Sequence, residues 1–268
     1  MRLPQLLFSK ILRAAVEFEM FDEGDRIVLG ISGGKDSLFL AFAMSVLKSR
    51  IKKSIELTAL TIDPMFGNRF EIDRIKKFCS ELGIDHAMRR VDIKGLIESS
   101  GESPCFTCSY FRRAAVNRYA VEIGANKVAY AHHLDDAVET FLMSLLSSGR
   151  LTTFLPKTFL DRTGVTVIRP LSYIRESEIE KFISDNGLEP VKSPCPLDGT
   201  TNRQSIKELI RRLEPEFPAL FSHLTAGMRR SAIGDLWAAA KSREEMREEY
   251  CATIAHSAEK NVETRSDK

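Results

Sequence analysis

A chain of 268 residues, 43% hydrophobic and 28% charged, can bury a sizeable core in one large or two modest domains, which excludes a disulfide-stapled miniprotein and a wholly disordered chain. Thirty-nine Lys plus Arg against thirty-seven Asp plus Glu leave a net charge of +2, so a nucleic-acid partner has to be argued from local patches. Five cysteines, an odd number, and an opening without a signal-peptide pattern predict a soluble protein of the reducing cytoplasm, and no apolar run approaches the roughly 20 residues that cross a bilayer.

Residues 1–21 carry an amphipathic pattern through Leu6, Leu7, Ile11, Leu12 and Val16 that predicts an N-terminal helix, and 26–31 read as a short buried strand. Helices over 37–49 and about 69–82 then alternate with strands over 55–63 and 86–91. Farther along, helices are predicted over 109–123, 135–146 and 176–186, and strands over 127–131 and 165–169. Strands separated by helix-length segments indicate βαβ units, hence an α/β fold whose mostly parallel open sheet has helices on both faces. This domain spans 22–200. Within it, 147–164 has little periodicity and carries Arg150, Lys157 and Arg162, which predicts an exposed inserted loop. Helices over 203–213 and about 218–241, broken near Pro215 and Pro218, predict a small helical C-terminal extension over 201–256. The last stretch, 257–268, holds too little apolar material to order.

Three motifs carry chemistry. The first, Gly30-Ile-Ser-Gly-Gly-Lys-Asp-Ser37, lies between a predicted strand and a predicted helix, where backbone N–H groups can converge on an anion. Gly33 and Gly34 allow close approach to the main chain, Ser32 and Ser37 offer hydroxyls, and Lys35 supplies a mobile positive charge. The string fits neither the Walker A spacing nor the dinucleotide pattern; its bland alternative is a Gly-Ser turn capping a helix. Asp63 ends the second strand on the sheet edge where open α/β folds place ligands, or else serves as a turn or cap residue before Pro64.

The second motif is His132-His133-Leu134-Asp135-Asp136, after a short strand and at the start of a helix. Its carboxylates suit magnesium, and His132 and His133 suit orientation of a triphosphate or an adenylated product. A zinc site with a cysteine, or Asp135 or Asp136 acting as a helix cap, are the other readings. The third motif is Cys105-Phe106-Thr107-Cys108 just before a helix, with Cys195 far downstream. A lone Cys-x-x-Cys fits a redox pair, half a zinc site or two ligands of an iron–sulfur cluster. Cys79 reads as a core thiol, and Cys251 lies in a charged segment.

The phosphate loop resembles that of the PP-loop ATP pyrophosphatases, which cleave ATP between its α and β phosphates to adenylate a substrate. The full order is Cys-x-x-Cys, Arg112-Arg113, His-His-x-Asp-Asp, Arg169-Pro170-Leu171 and a final Pro-Cys. Over about residues 20–210 it is similar to the tRNA 2-thiocytidine synthetase branch. The resemblance implies an adenine nucleotide alpha hydrolase-like fold. It matches Ser32, Gly33, Gly34, Lys35, Asp36 and Ser37 to the grip on ATP, and Asp36 and Asp136 to magnesium. It matches Cys105, Cys108 and Cys195 to a [4Fe–4S] cluster whose fourth iron is free to carry sulfur. One departure is Asp198, where the branch often has a further cysteine; this weakens the choice of cytidine over uridine as substrate.

The resemblance also implies tRNA as the partner, with a separate cysteine desulfurase as sulfur donor, since nothing resembles a pyridoxal-phosphate site; a homodimer is the expected assembly. Four basic pairs, Arg89-Arg90, Arg112-Arg113, Arg211-Arg212 and Arg229-Arg230, are solvated faces or phosphate contacts, with Arg112-Arg113 set apart by its place beside the cysteines. Phe106, Tyr110 and Phe111 are candidates for base stacking or for the core. Two other classes stay open: the same chemistry on a uridine or a small molecule, and a non-catalytic zinc-stabilised RNA-binding module.

Overall fold

The computed structural model describes residues 1–67, 71–191, 195, 202–230 and 241–253. Its elements run α1 (Gln5–Glu17), β1 (Asp25–Gly30), α2 (Lys35–Arg50), β2 (Ile55–Asp63), α3 (Ile72–Glu81), β3 (Asp85–Arg90), α4 (Ile93–Ser100), α5 (Pro104–Glu122) and β4 (Lys127–Ala129). They continue through α6 (Leu134–Ser148), β5 (Lys157–Leu160), β6 (Val165–Ile168), α7 (Glu176–Asp185), α8 (Asn202–Glu216), α9 (Leu220–Arg230) and α10 (Arg243–Thr253). The sheet order is β3-β2-β1-β4-β6-β5, parallel except for the β5–β6 pair, as the alternating sequence predicts.

The chain builds outward from β1 to β2 and β3, then crosses back to lay β4 on the other side of β1. The β1/β4 boundary is therefore the point where strand order reverses, and the loops leaving these two strands part there to open a crevice. Register fixes them at one level, with Leu29 opposite Ala129. Both the glycine-rich loop and the His-His element leave from this boundary.

Helix α2 is buried almost all round, from Leu38 through Met44 and again at Leu47, because the sheet lies on one side and α1 and α7 on the other. One apolar core cluster extends from Leu3 on the N-terminal segment to Met228 on α9, and a smaller one packs α5 on the opposite face of the sheet around Val116, Tyr119 and Val128. At the N-terminal ends of the strands a buried ion pair ties β1 to β4. Lys127 Nζ, 4% exposed, donates to Asp25 at 2.7 Å, to Asp22 at 2.8 Å and to the Met20 carbonyl at 3.0 Å.

Several boundaries differ from the sequence reading. The 147–164 stretch is not wholly loop: Lys157–Leu160 pairs antiparallel with β6 as an edge strand. Helix α5 starts at Pro104, five positions ahead of the predicted 109, because Ser103 caps it by accepting from the Phe106 N–H and Pro104 fits the first turn. The cysteine pair thus sits on the helix rather than before it. Helix α4 was not anticipated, and the predicted helix over 218–241 is described as α9, with 231–240 outside the described residues. Helix α10 adds a charged helix beyond it; it buries none of its residues but takes an N–H bond from Lys52 to the Thr253 carbonyl. The predicted disordered tail, 257–268, also lies outside the described residues. No helix among the described residues is long and apolar enough to cross a membrane.

Candidate active site

Gly33 shapes the turn after β1. Its φ is +85°, and a Cβ there would stand 2.7 Å from Ile75 Cδ1 and 3.0 Å from Val191 Cβ, so only glycine fits. The Ser37 hydroxyl organises the loop: it accepts from the N–H groups of Ser32 (3.2 Å) and Gly33 (3.1 Å) and donates to the Gly34 carbonyl (2.9 Å). Gly34 is the N-cap of α2 and no side chain caps the helix, which leaves first-turn N–H groups and the positive end of the dipole to an anion.

Lys35 Nζ lies between Asp36 (2.9 Å) and Glu176 (2.8 Å). Burial favours its neutral form, but the two carboxylates outweigh it and hold the ammonium above its ordinary range. Glu176 also accepts from Lys207 at 2.9 Å. Against the opposing effect of burial, these two lysines draw its carboxyl down to about 2.

At the head of α6, His133 is the cap. Its Nδ1 accepts from the Asp136 N–H (3.3 Å) while the Asp136 carboxylate accepts from the His133 N–H (3.0 Å). A capping Nδ1 is an acceptor, so the ring proton sits on Nε2, which faces Asp136 at 3.5 Å and Asp36 at 3.8 Å. One imidazole therefore joins the two carboxylates matched to magnesium. Burial disfavours ionisation of Asp136, yet the His133 backbone N–H, from which it accepts, and Arg203 at 2.8 Å hold it below the usual carboxylate range. Asp135 has a different part: it accepts from Arg175 (3.1 Å) and from the Glu176 N–H (2.7 Å), docking α7.

His132 packs against Tyr130 and Phe154, with ring centroids 5.9 and 5.1 Å away. Burial, reinforced by Arg169, pushes it down to about 3. It is a neutral hydrogen-bonding group, and its buried Nδ1 has no partner among the described residues. Asp63 stands apart: it accepts from the Met65 N–H (3.0 Å) and faces Arg90 at 3.6 Å, and it does not line the cleft.

That cleft, about 1080 Å³, is bordered by Ser32, Asp36, His132, Asp136 and Cys105, with Arg112, Arg113 and Arg203 adding positive charge. Cys105 is exposed, whereas Cys108 and Cys195 are half-buried, and none of the three is in a disulfide. Burial pushes the Cys108 thiol up; Arg112 opposes this, and the charges of Cys195 and Cys105 add to it. Among the described residues no three His, Cys, Asp or Glu side chains converge as ligands of one ion. Three thiols are the donor chemistry of an iron–sulfur cluster, whose thiolates bind through different irons. Cys79 is fully buried, with its thiol pushed up to about 11, and Cys251 is exposed on α10. Asp198 lies outside the described residues.

Sequence reasoning missed Glu139, Glu176, Arg203 and Lys207. Glu139 follows Asp136 by three positions, a spacing that puts both on one side of α6, and this signal could have found it. Its side chain is 2% exposed, with Lys207 and Arg203 at 3.6 and 3.7 Å. Burial nonetheless pushes it up to about 7, from 4.5. Between these values the folded protein keeps a proton that the unfolded chain loses. The contribution to stability is therefore whole below pH 4.5 and is lost as pH rises through 7. Urea denaturation across this window is expected to show stability falling by up to about 3 kcal/mol, and Glu139→Gln is expected to flatten the decline; an equal slope in the variant would refute this assignment.

A PP-loop domain model matches residues 7–213. A tRNA-cytidine(32) 2-sulfurtransferase of Syntrophotalea carbinolica is 36% identical over 231 residues, covering 83% of this chain and 89% of the relative. One from Geobacter sulfurreducens is 37% identical over 213 residues, covering 78% and 82%. Among solved structures, the U34-tRNA thiolase NcsA from Methanococcus maripaludis with its [4Fe-4S] cluster superposes with a TM-score of 0.67 at 21% identity, over 89% of this chain and 90% of that one, a likeness of fold.

Proposed function

The chain belongs to the PP-loop family, in the branch formed by its tRNA-cytidine 2-sulfurtransferase relatives, and on that premise we propose that it is an ATP-dependent enzyme that replaces the C2 oxygen of a tRNA anticodon-loop cytidine by sulfur. The observation that carries this reading is the shared cleft, on which an uncapped helix start, two carboxylates and Cys105 all open.

The α2 N-terminus and Lys35 receive the β and γ phosphates of ATP, and Asp36 and Asp136 are the residues that would hold magnesium against them. The cytidine O2 attacks the α phosphorus, and the bond to the β-phosphate oxygen breaks. Charge gathers on the departing pyrophosphate, where Lys35 and the N–H groups of α2 stabilise it. The adenylated oxygen then leaves C2 as part of AMP when sulfur takes its place. Cys105, Cys108 and Cys195 would hold a [4Fe–4S] cluster, which when bound supplies an iron without a protein ligand, suited to carrying sulfur. A separate cysteine desulfurase provides that sulfur as a persulfide, a thiol reductant supplies the two electrons that bring it to the sulfide level, and the reaction takes place in the cytoplasm.

The test is anaerobic purification with iron, sulfide and zinc analysis, followed by mapping of thiolated tRNA positions. About four irons per chain are expected in the native protein and almost none in Cys108→Ala, with thermal melting little changed. Full iron content in the variant would remove Cys108 from the ligand set. One zinc with no iron would replace the reading by a zinc-stabilised RNA-binding module, and thiolated uridine would move the substrate assignment.

A further inference from the structure

Helix α5 carries two adjacent stripes. Cys105, Cys108 and Arg112 follow one another at helical spacing, and Phe106, Tyr110 and Arg113, at i, i+4 and i+7, form the neighbouring one. Phe106 and Tyr110 are 54% and 49% exposed, and their rings lie nearly parallel, 19° apart with centroids at 6.3 Å. Phe111 braces Tyr110 edge-on at 5.2 Å. Two large aromatic faces are thus held open to water beside a cysteine matched to the cluster.

The charges around them select the partner. Arg89, Arg90 and Arg229 are engaged by Glu122, Asp63 and Glu17. Arg112 and Arg113 pair with no carboxylate among the described residues; Arg113 bonds only to Ser109, through its carbonyl at 3.0 Å and its hydroxyl at 3.5 Å. An apolar peptide would cover the rings and leave two guanidiniums uncompensated. A duplex would meet the guanidiniums and keep its base faces stacked away. Unpaired RNA supplies both phosphates and open π-faces.

Resting on the tRNA reading above, we propose that Phe106 and Tyr110 form a stacking platform for unpaired nucleobases of the RNA substrate, with Arg113 on the flanking phosphate, so that the strand is held beside Cys105. The pair acts in positioning, with Phe106 on the border of the cleft that Ser32, Asp36 and Asp136 also line.

The experiment measures binding of the cluster-loaded protein to a hairpin RNA with an unpaired loop and to a blunt duplex of equal phosphate number. Phe106→Ala/Tyr110→Ala is expected to weaken hairpin binding roughly 10- to 100-fold and to leave duplex binding, iron content and melting temperature unchanged. Phe106→Leu/Tyr110→Leu, apolar but without π-faces, is expected to fail similarly, while Phe106→Trp/Tyr110→Phe restores affinity. Hairpin affinity in the alanine variant within twofold of wild type would overturn the proposal, and if sulfur transfer from a protein donor were lost instead, the face would belong to that donor. A wild-type protein that ignores the hairpin would refute the tRNA reading itself, a result distinct from equal affinities.

Discussion

Lys35→Ala is expected to lower ATP-dependent pyrophosphate release by roughly 10²- to 10³-fold while leaving iron content and thermal melting close to wild type. The ammonium is the mobile charge beside the uncapped start of α2, and its two partners, Asp36 at 2.9 Å and Glu176 at 2.8 Å, hold it protonated and aimed across the loop. Removing it leaves neither partner stranded. Glu176 keeps Lys207 at 2.9 Å, and Asp36 keeps His133 at 3.8 Å. The loss therefore falls on the leaving group rather than on the fold. Pyrophosphate release within threefold of wild type, measured with saturating ATP and tRNA, would take Lys35 out of the mechanism.

Asp25→Ala is expected to destabilise the fold by about 3–5 kcal/mol, the cost of breaking a buried ion pair from one side. Asp25 is 1% exposed and accepts from Lys127 at 2.7 Å, from Asn126 Nδ2 at 2.7 Å and from the Asp22 N–H at 2.6 Å. The substitution leaves a nearly buried ammonium with only Asp22 and a carbonyl. Because the pair spans β1 and β4, the two strands whose loops build the site, weakening it loosens the boundary that positions both motifs. Urea denaturation measures the effect, and a change below 1 kcal/mol would show that Asp22 alone suffices for Lys127.

The alternation of apolar runs and amphipathic stretches was enough to expose a parallel sheet with helices on both faces, because β1 and α2 are buried so completely that their patterns leave little choice. Edge elements were harder. Strand β5 has only four residues, none of them fully buried, and it pairs on one side alone, so neither alternation nor a continuous apolar run marks it. The start of α5 was written in the sequence as Ser103-Pro104, a cap followed by a first-turn proline, and was obscured by the cysteines after it. The phosphate loop and the His-His element could be located in the sequence because each is contiguous. The Glu139, Glu176, Arg203 and Lys207 network could not, since three separate helices bring it together and an isolated charge in a helix carries no sign of its distant partner.

This dispersal has a consequence for biosynthesis. Glu176 follows Lys35 by 141 positions, and Lys207 comes 31 later still. At roughly 5–20 residues per second, a ribosome exposes the phosphate loop several seconds to about half a minute before the counter-charges that hold its lysine exist. The nascent chain can thus pair β1, β2 and β3 while the nucleotide site is still only half made, and the enclosing charges arrive on α7 and α8 as a late, long-range closure. A chain halted before α7 would carry the whole signature motif with no acidic partner across from Lys35 except its neighbour Asp36.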